Sequence, residues 1–223
     1  MAQIKNGHFG SYQGKIGAVT GVKRKGKFYI HQSITHNGSR TDKQLRQRNR
    51  FTVAMLFAQL FDRVVADTFA KRSGNGLTAL NAFASHVAVD ALSESTLTPG
   101  GKWTTKVVEN KVQIARGPIP QLEQFSITFD PDKNSLKLGW NKDHTPEGAL
   151  PSDMVCVVAK LQESNEVVIH MNDTKATRGN GQLLLAVPAT WADNVCNVWV
   201  YTKSQEKGRL STSQFKEGVV CAG

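Results

Sequence analysis

From Thr104 onward, apolar and polar residues alternate along the chain. Phe125/Ile127/Phe129, Leu136/Leu138/Trp140 and Val198/Val200 place an apolar side chain at every second position. A period of two is that of a strand with one buried face. Candidate strands cover 107–108, 112–115, 125–129, 136–140, 154–161, 167–171, 183–187 and 195–202, with a polar edge strand at 211–215. Between them lie Asp-Pro-Asp-Lys-Asn, Thr-Pro-Glu-Gly, Glu-Ser-Asn-Glu and Arg-Gly-Asn-Gly, all turn chemistry. About seven short strands at regular spacing predict an antiparallel β-sandwich over 104–223.

Upstream the period changes. Thr41-Asp-Lys-Gln44 is a capping-box pattern, with Thr41 as N-cap and Gln44 reaching back. The helix it starts carries Leu45, Phe51, Met55, Ala58, Val65 and Phe69 near helical spacing, broadened by Leu56, Leu60 and Phe61. Ser73-Gly-Asn-Gly76 ends it, and a second helix is expected over 77–92 with Leu77, Leu80, Phe83, Val87 and Ala91 inward. The pair, residues 41–95, reads as an αα-hairpin. Ser, Thr, Pro99, Gly100 and Gly101 mark 96–103 as a linker. In residues 1–40, the runs 15–22 and 27–35 flank Lys23-Arg24-Lys25-Gly26, a hairpin signal with a basic turn.

Charge changes this picture. Residues 1–50 hold eleven Lys and Arg against one acid, Asp42, and so carry the whole net charge of +10. The same segment carries Gly7, Gly10, Gly14, Gly17, Gly21 and Gly26. The first forty residues therefore read as a basic, Gly-rich β arm, which buries little by itself and needs something to lie on. Two readings compete. In one the arm joins subunits by adding a strand to a neighbouring sheet. In the other Lys15, Lys23, Arg24, Lys25, Lys27, Arg40, Arg46, Arg48 and Arg50 meet phosphates while Phe9, Tyr12, Phe28 and Tyr29 stack on bases.

Catalytic and metal chemistry find little footing. The six histidines show no H-x-x-x-H, and no C-x-x-C occurs. Gly14-Lys15 is followed by Ile16 where a phosphate-binding loop needs a hydroxyl. No G-x-S-x-G appears, and Asp130, Asp132 and Asp143 fall in turns. Cys156, Cys196 and Cys221 are too few and too far apart for a disulfide framework, and read as buried small side chains, with Cys156 and Cys196 as neighbours in the sandwich core. No enzyme, cofactor or metal is expected. Trp103 and Trp191 are candidates for a carbohydrate-binding surface, with a core role favoured. No apolar run approaches roughly 18 residues, so no membrane insertion is expected, and no Sec signal peptide is visible.

Two resemblances add to this. Trp140 closing one strand, Pro188 and Trp191 after another, and Val-Trp-Val-Tyr201 in the next resemble the grammar of immunoglobulin-like or fibronectin type III sandwiches. The fold expected is thus α+β multidomain: a basic β-hairpin and αα-hairpin, then an antiparallel immunoglobulin/fibronectin III-like sandwich. Ile4-Lys-Asn-Gly7, Phe9-Gly10, Gly14-Lys15-Ile16-Gly17, Val19, Gly21, Gly26-Lys27 and 41–48 resemble a family of uncharacterised proteins from Bacteroidota genomes, their phages and mobile elements. The chain departs from that pattern at Ile30-His31-Gln32, where the family carries an Arg. The resemblance supplies no activity and leans toward phage or surface structural proteins; with the basic arm, the expected protein is a structural component of a phage virion or similar large particle, located in the virion or cytoplasm. Its partners would be copies of itself or other structural proteins; the alternative is a nucleic-acid-binding protein that uses the arm.

Overall fold

The structure is a computed structural model that describes residues 3–4, 12–24, 26–32, 41–70 and 77–221. The chain divides into two compact units, Met1–Leu45 and Arg46–Gly223. It is a mixed α/β protein built mostly of antiparallel sheet.

In the first unit β1 (Gln3–Ile4), β2 (Tyr12–Ile16), β3 (Val19–Arg24) and β4 (Lys27–Gln32) form one antiparallel sheet in that order. The expected single strand over 15–22 is broken. Gly17 adopts φ +57° in a two-residue turn that sets Ile16 opposite Val19, a conformation that costs glycine little. Gly26 does the same at the next turn, with Arg24 opposite Lys27. The capping box forms as read: Thr41 N donates to Gln44 Oε1 (3.2 Å) and Gln44 N to Thr41 Oγ1 (3.4 Å).

The expected long helix is two, α1 (Asp42–Leu60) and α2 (Asp62–Thr68). At the break Phe61 N donates to Ala58 O three residues back (3.1 Å), a tightened turn. The buried stripe is Ala54, Phe57, Ala58 and Phe61, continued by Val64, Val65 and Phe69. Phe51, expected inward, is 59% exposed, because α1 carries apolar residues on two faces and only one meets the core. The turn expected at Ser73–Gly76 lies outside the described residues. α3 (Ala79–Asp90) starts at Thr78, whose side chain accepts from Asn81 N, and buries Phe83, Ala84, His86 and Val87. Leu77 falls before it and is exposed.

The expected linker is structured. β5 (Thr96–Leu97) pairs with β6 (Trp103–Thr104). The expected strands at 107–108 and 112–115 are instead a bridge at Val107 and an extended run after a 3-10 turn at Glu109–Lys111. Their alternation is real, with Val112 and Ile114 buried, but side chains stand in for a ladder. Trp199 Nε1 donates to Val112 O (3.1 Å), Thr68 Oγ1 to Ile114 O (2.8 Å), and Ile114 N to Ser213 Oγ (3.1 Å).

Seven strands follow: β7 (Ser126–Asp130), β8 (Ser135–Gly139), β9 (Met154–Leu161), β10 (Val167–His170), β11 (Gln182–Ala186), β12 (Val195–Lys203) and β13 (Gln214–Val220). The last begins three residues later than expected. They form two antiparallel sheets, β10-β9-β12-β13 and β11-β8-β7. One core lies between the sheets, with Leu136, Leu138, Val155, Val157, Val198 and Trp191. A second lies between the four-stranded sheet and the helices, where Cys156, Val158, Trp199 and Tyr201 meet Phe57, Phe61, Phe69 and Phe83. Phe61 packs edge-on against Trp199 at 5.4 Å between ring centres, an arrangement aromatic quadrupoles favour. The helices and sandwich thus share a core across the segment expected to separate them.

Candidate interaction surface

The N-terminal sheet is two-faced, and its register says how. Directly opposed residues project to the same side, and neighbours along a strand to opposite sides. Ile16 pairs with Val19, Gly14 with Gly21, Gly21 with Ile30, and Lys23 with Phe28. These residues share one face with Gln32, opposite Val19, and that face is apolar apart from Lys23 and Gln32. The Lys23 ammonium lies over the Phe28 ring at 5.1 Å from its centre, a cation–π contact. Lys15 pairs with Thr20, Thr20 with His31, Val22 with Tyr29, and Arg24 with Lys27. That second face is basic, with one aromatic ring.

Among the described residues β4 is open on both faces, while β3 is more covered, with Gly21 buried. All six residues of β4 are exposed, Phe28 at 44%, Tyr29 at 51% and Ile30 at 65%. β4 ends the strand order, so among the described residues one of its edges has no ladder partner. It carries neither a proline nor a bulge, two usual protections of a free edge. Among the described residues no carboxylate lies within 4.0 Å of Lys15, Lys23 or Lys27.

The other predicted contact residues scatter. Phe9, Lys25 and Arg40 lie outside the described residues. Tyr12 and Arg24 are placed on β2 and β3 by their backbone alone. Arg46 covers the Trp103 ring at 5.9 Å, and Arg48 is exposed on α1. Arg50 is turned inward: Nη2 donates to Ala88 O (3.0 Å) and Nη1 to Ser93 O (3.1 Å). It caps the carboxyl end of α3, where unsatisfied carbonyls and the helix dipole favour a cation. Gly14 and Lys15 sit in a strand, with no helix start to cradle a phosphate.

Polar clusters that the sequence did not reveal occur in the second unit. Lys160, nearly fully buried, pairs with Glu109 at 2.9 Å, and Asn197 Nδ2 donates to the other Glu109 oxygen (2.7 Å). Lys203 Nζ donates to Asp67 (2.7 Å) and ties α2 to β12. His86 Nε2 accepts from Gln113 N (3.2 Å), which leaves Nδ1 as the donor to Asp90 at 2.6 Å. That hydrogen bond, with the Arg116 guanidinium, holds the Asp90 carboxyl below its ordinary value. Apart from His86–Asp90, one turn apart on α3, these contacts join elements far apart in the chain, so no local motif announces them.

The cysteines depart from expectation in pairing. Cys156 faces the helices while Cys196 faces the other sheet, and the neighbour of Cys196 is Cys221, 3.9 Å away between sulfurs. Burial, then the adjacent Cys221, pushes the Cys196 thiol up to about 12. Trp191 is buried and donates to Glu166 (2.8 Å), leaving no flat aromatic platform there. Among the described residues no three of His, Cys, Asp and Glu gather as metal ligands.

The chain matches the model of a family of unknown function, DUF6266, over residues 11–216, and it belongs to that family. No curated protein matches it.

Proposed function

We propose that the protein is a non-enzymatic structural or assembly protein, a component of a phage virion or similar large particle, whose N-terminal sheet joins subunits. The observation that carries the reading is β4: six exposed residues, Phe28, Tyr29 and Ile30 among them, on a sheet edge that no described residue pairs with. The occupant is a second copy of the chain. Two β4 strands pair antiparallel with Tyr29 opposite Tyr29, so that Phe28 meets Ile30 of the other copy and Lys27 meets His31. That register is self-complementary, sets no two lysines face to face, and continues one apolar face across the pair. The C-terminal sandwich is an immunoglobulin-like docking or display module. Its antiparallel division supports this: first, second and fifth strands in one sheet, third, sixth and seventh in the other. It differs from the constant-type arrangement in that the fourth strand joins the second sheet. The resemblance of the N-terminal motifs to phage-associated proteins supports the setting. No helix among the described residues is long and apolar enough to cross a membrane.

Light scattering behind size exclusion tests this on the full chain and on Ile30→Asp. Backbone pairing and apolar contact are insensitive to salt, so the oligomer is expected to persist at about 1 M salt, where the screening length is about 3 Å. The substitution should reduce it to monomer. A full-length monomer at every salt concentration would end the assembly reading.

A further inference from the structure

The geometry points to a second use of the same sheet: its basic face, opposite the apolar one, binds single-stranded nucleic acid. The inference does not rest on the assembly reading, because pairing through the β4 edge leaves this face open.

The argument starts from charge. Residues 1–41 contain no acid at all, so nothing within the arm itself can neutralise its lysines and arginines. The register then concentrates them. Lys15, Arg24, Lys27 and His31 fall on one face, and Lys15, Lys27 and His31 are exposed there. Arg24 is directly opposite Lys27. Tyr29 lies on the same face, between Lys27 and His31 along β4, half exposed. Successive side chains on one face of a strand are about 6.8 Å apart, close to the phosphate step of an extended single strand. A cation, a ring and an imidazole at that step fit a backbone track with one stacked base. Basic and aromatic side chains on an open antiparallel face are a general means of holding unpaired bases. A duplex hides its base faces and offers Tyr29 nothing to stack on. The other face is poorer for this purpose: its Lys23 already lies over Phe28.

Fluorescence anisotropy with a labelled oligothymidine of roughly twelve nucleotides, within the usual site range, tests the assignment on the full chain. Three phosphate contacts on a single strand give a log–log salt slope of about −2, so affinity should fall roughly fifteen-fold between about 50 and 200 mM salt. Lys15→Gln with Lys27→Gln should remove about 1.4 of that slope. Tyr29→Ala should weaken binding about tenfold, and Tyr29→Phe should restore it. Lys23→Gln and Phe28→Ala, on the opposite face, should change affinity less than twofold. The proposal is overturned if no binding is seen at the lower salt, or if Lys23→Gln costs as much as Lys15→Gln or Lys27→Gln. It also fails if Tyr29→Ala is silent, or if duplex, heparin or polyglutamate binds as tightly as the oligonucleotide. Running the series on Ile30→Asp separates this result from the assembly one.

Discussion

Arg50 and Arg48 look alike in sequence and should behave differently. Replacing Arg50 by Met keeps much of the stem and removes two hydrogen bonds from a guanidinium to Ala88 O and Ser93 O. Hydrogen bonds to a charged group contribute roughly 1.5–3 kcal/mol each when well buried. Arg50 is only part-buried, so about 1 kcal/mol per bond is the better figure. Loss of a cation from the end of α3 adds roughly 0.3–1 kcal/mol. The sum is about 2–3 kcal/mol. For a unit of this size it corresponds to a fall in Tm of roughly 4–12 °C. Urea unfolding followed by far-UV circular dichroism measures it, with Arg48→Met as the partner variant. Arg48 is exposed and should stay within about 0.5 kcal/mol of the parent. Neither variant should alter oligonucleotide affinity by more than the loss of one diffuse charge. Equal stability of the two variants would refute the capping role of Arg50, and would return it to the cationic surface with Arg48.

Two further outcomes follow from the second unit. Phe61→Ala empties the meeting point of Phe57, Phe83 and Trp199 and should cost about 3–5 kcal/mol; because helices and sandwich share that core, Trp fluorescence and helical dichroism should unfold at one urea midpoint, and two midpoints would contradict the shared core. The carboxyl of Asp90 has a lowered value in the folded protein, so its contribution is present above the unfolded carboxylate range, near pH 4, and lost as pH falls through the folded value. Asp90→Asn should therefore flatten the fall of the urea midpoint between about pH 5 and 3, and an unchanged acid limb would remove Asp90 from the account.

What could be read from sequence was what is local. The capping box at Thr41 and Gln44 closes within four residues, and β9 announces itself as a continuous apolar run. Phe51 misled because α1 has apolar residues on two faces, and periodicity alone does not say which one is covered. The run 112–115 misled because alternation reports burial, whereas its hydrogen-bond partners, Thr68, His86, Trp199 and Ser213, come from four distant places in the chain. Arg50 counted as one more cation of a basic segment, since the carbonyls it holds lie 38 and 43 residues further on. The face division of the N-terminal sheet was hidden by one turn: until Gly17 is known to break the strand, Lys15 and Tyr29 have no common side.

The central strands also face a problem of alignment. Six residues of β9 lie in two dry interiors, Cys156 and Val158 in one and Val155, Val157, Ala159 and Leu161 in the other, and all six are apolar. Elsewhere, solvent on one side tells a strand which way to face, because a shift by one place would drown its apolar set. Here that signal is absent, since either side would accept Val155 or Val158. Lys160 supplies it. A shift by one place would turn its ammonium into the core between the sheets, away from Glu109, and a shift by two would set Val158 or Gln162, neither a cation, at Glu109. Buried ion pairs add little net stability, so the contribution of this one is to mark position: it is the single notch by which an otherwise featureless strand is keyed into place.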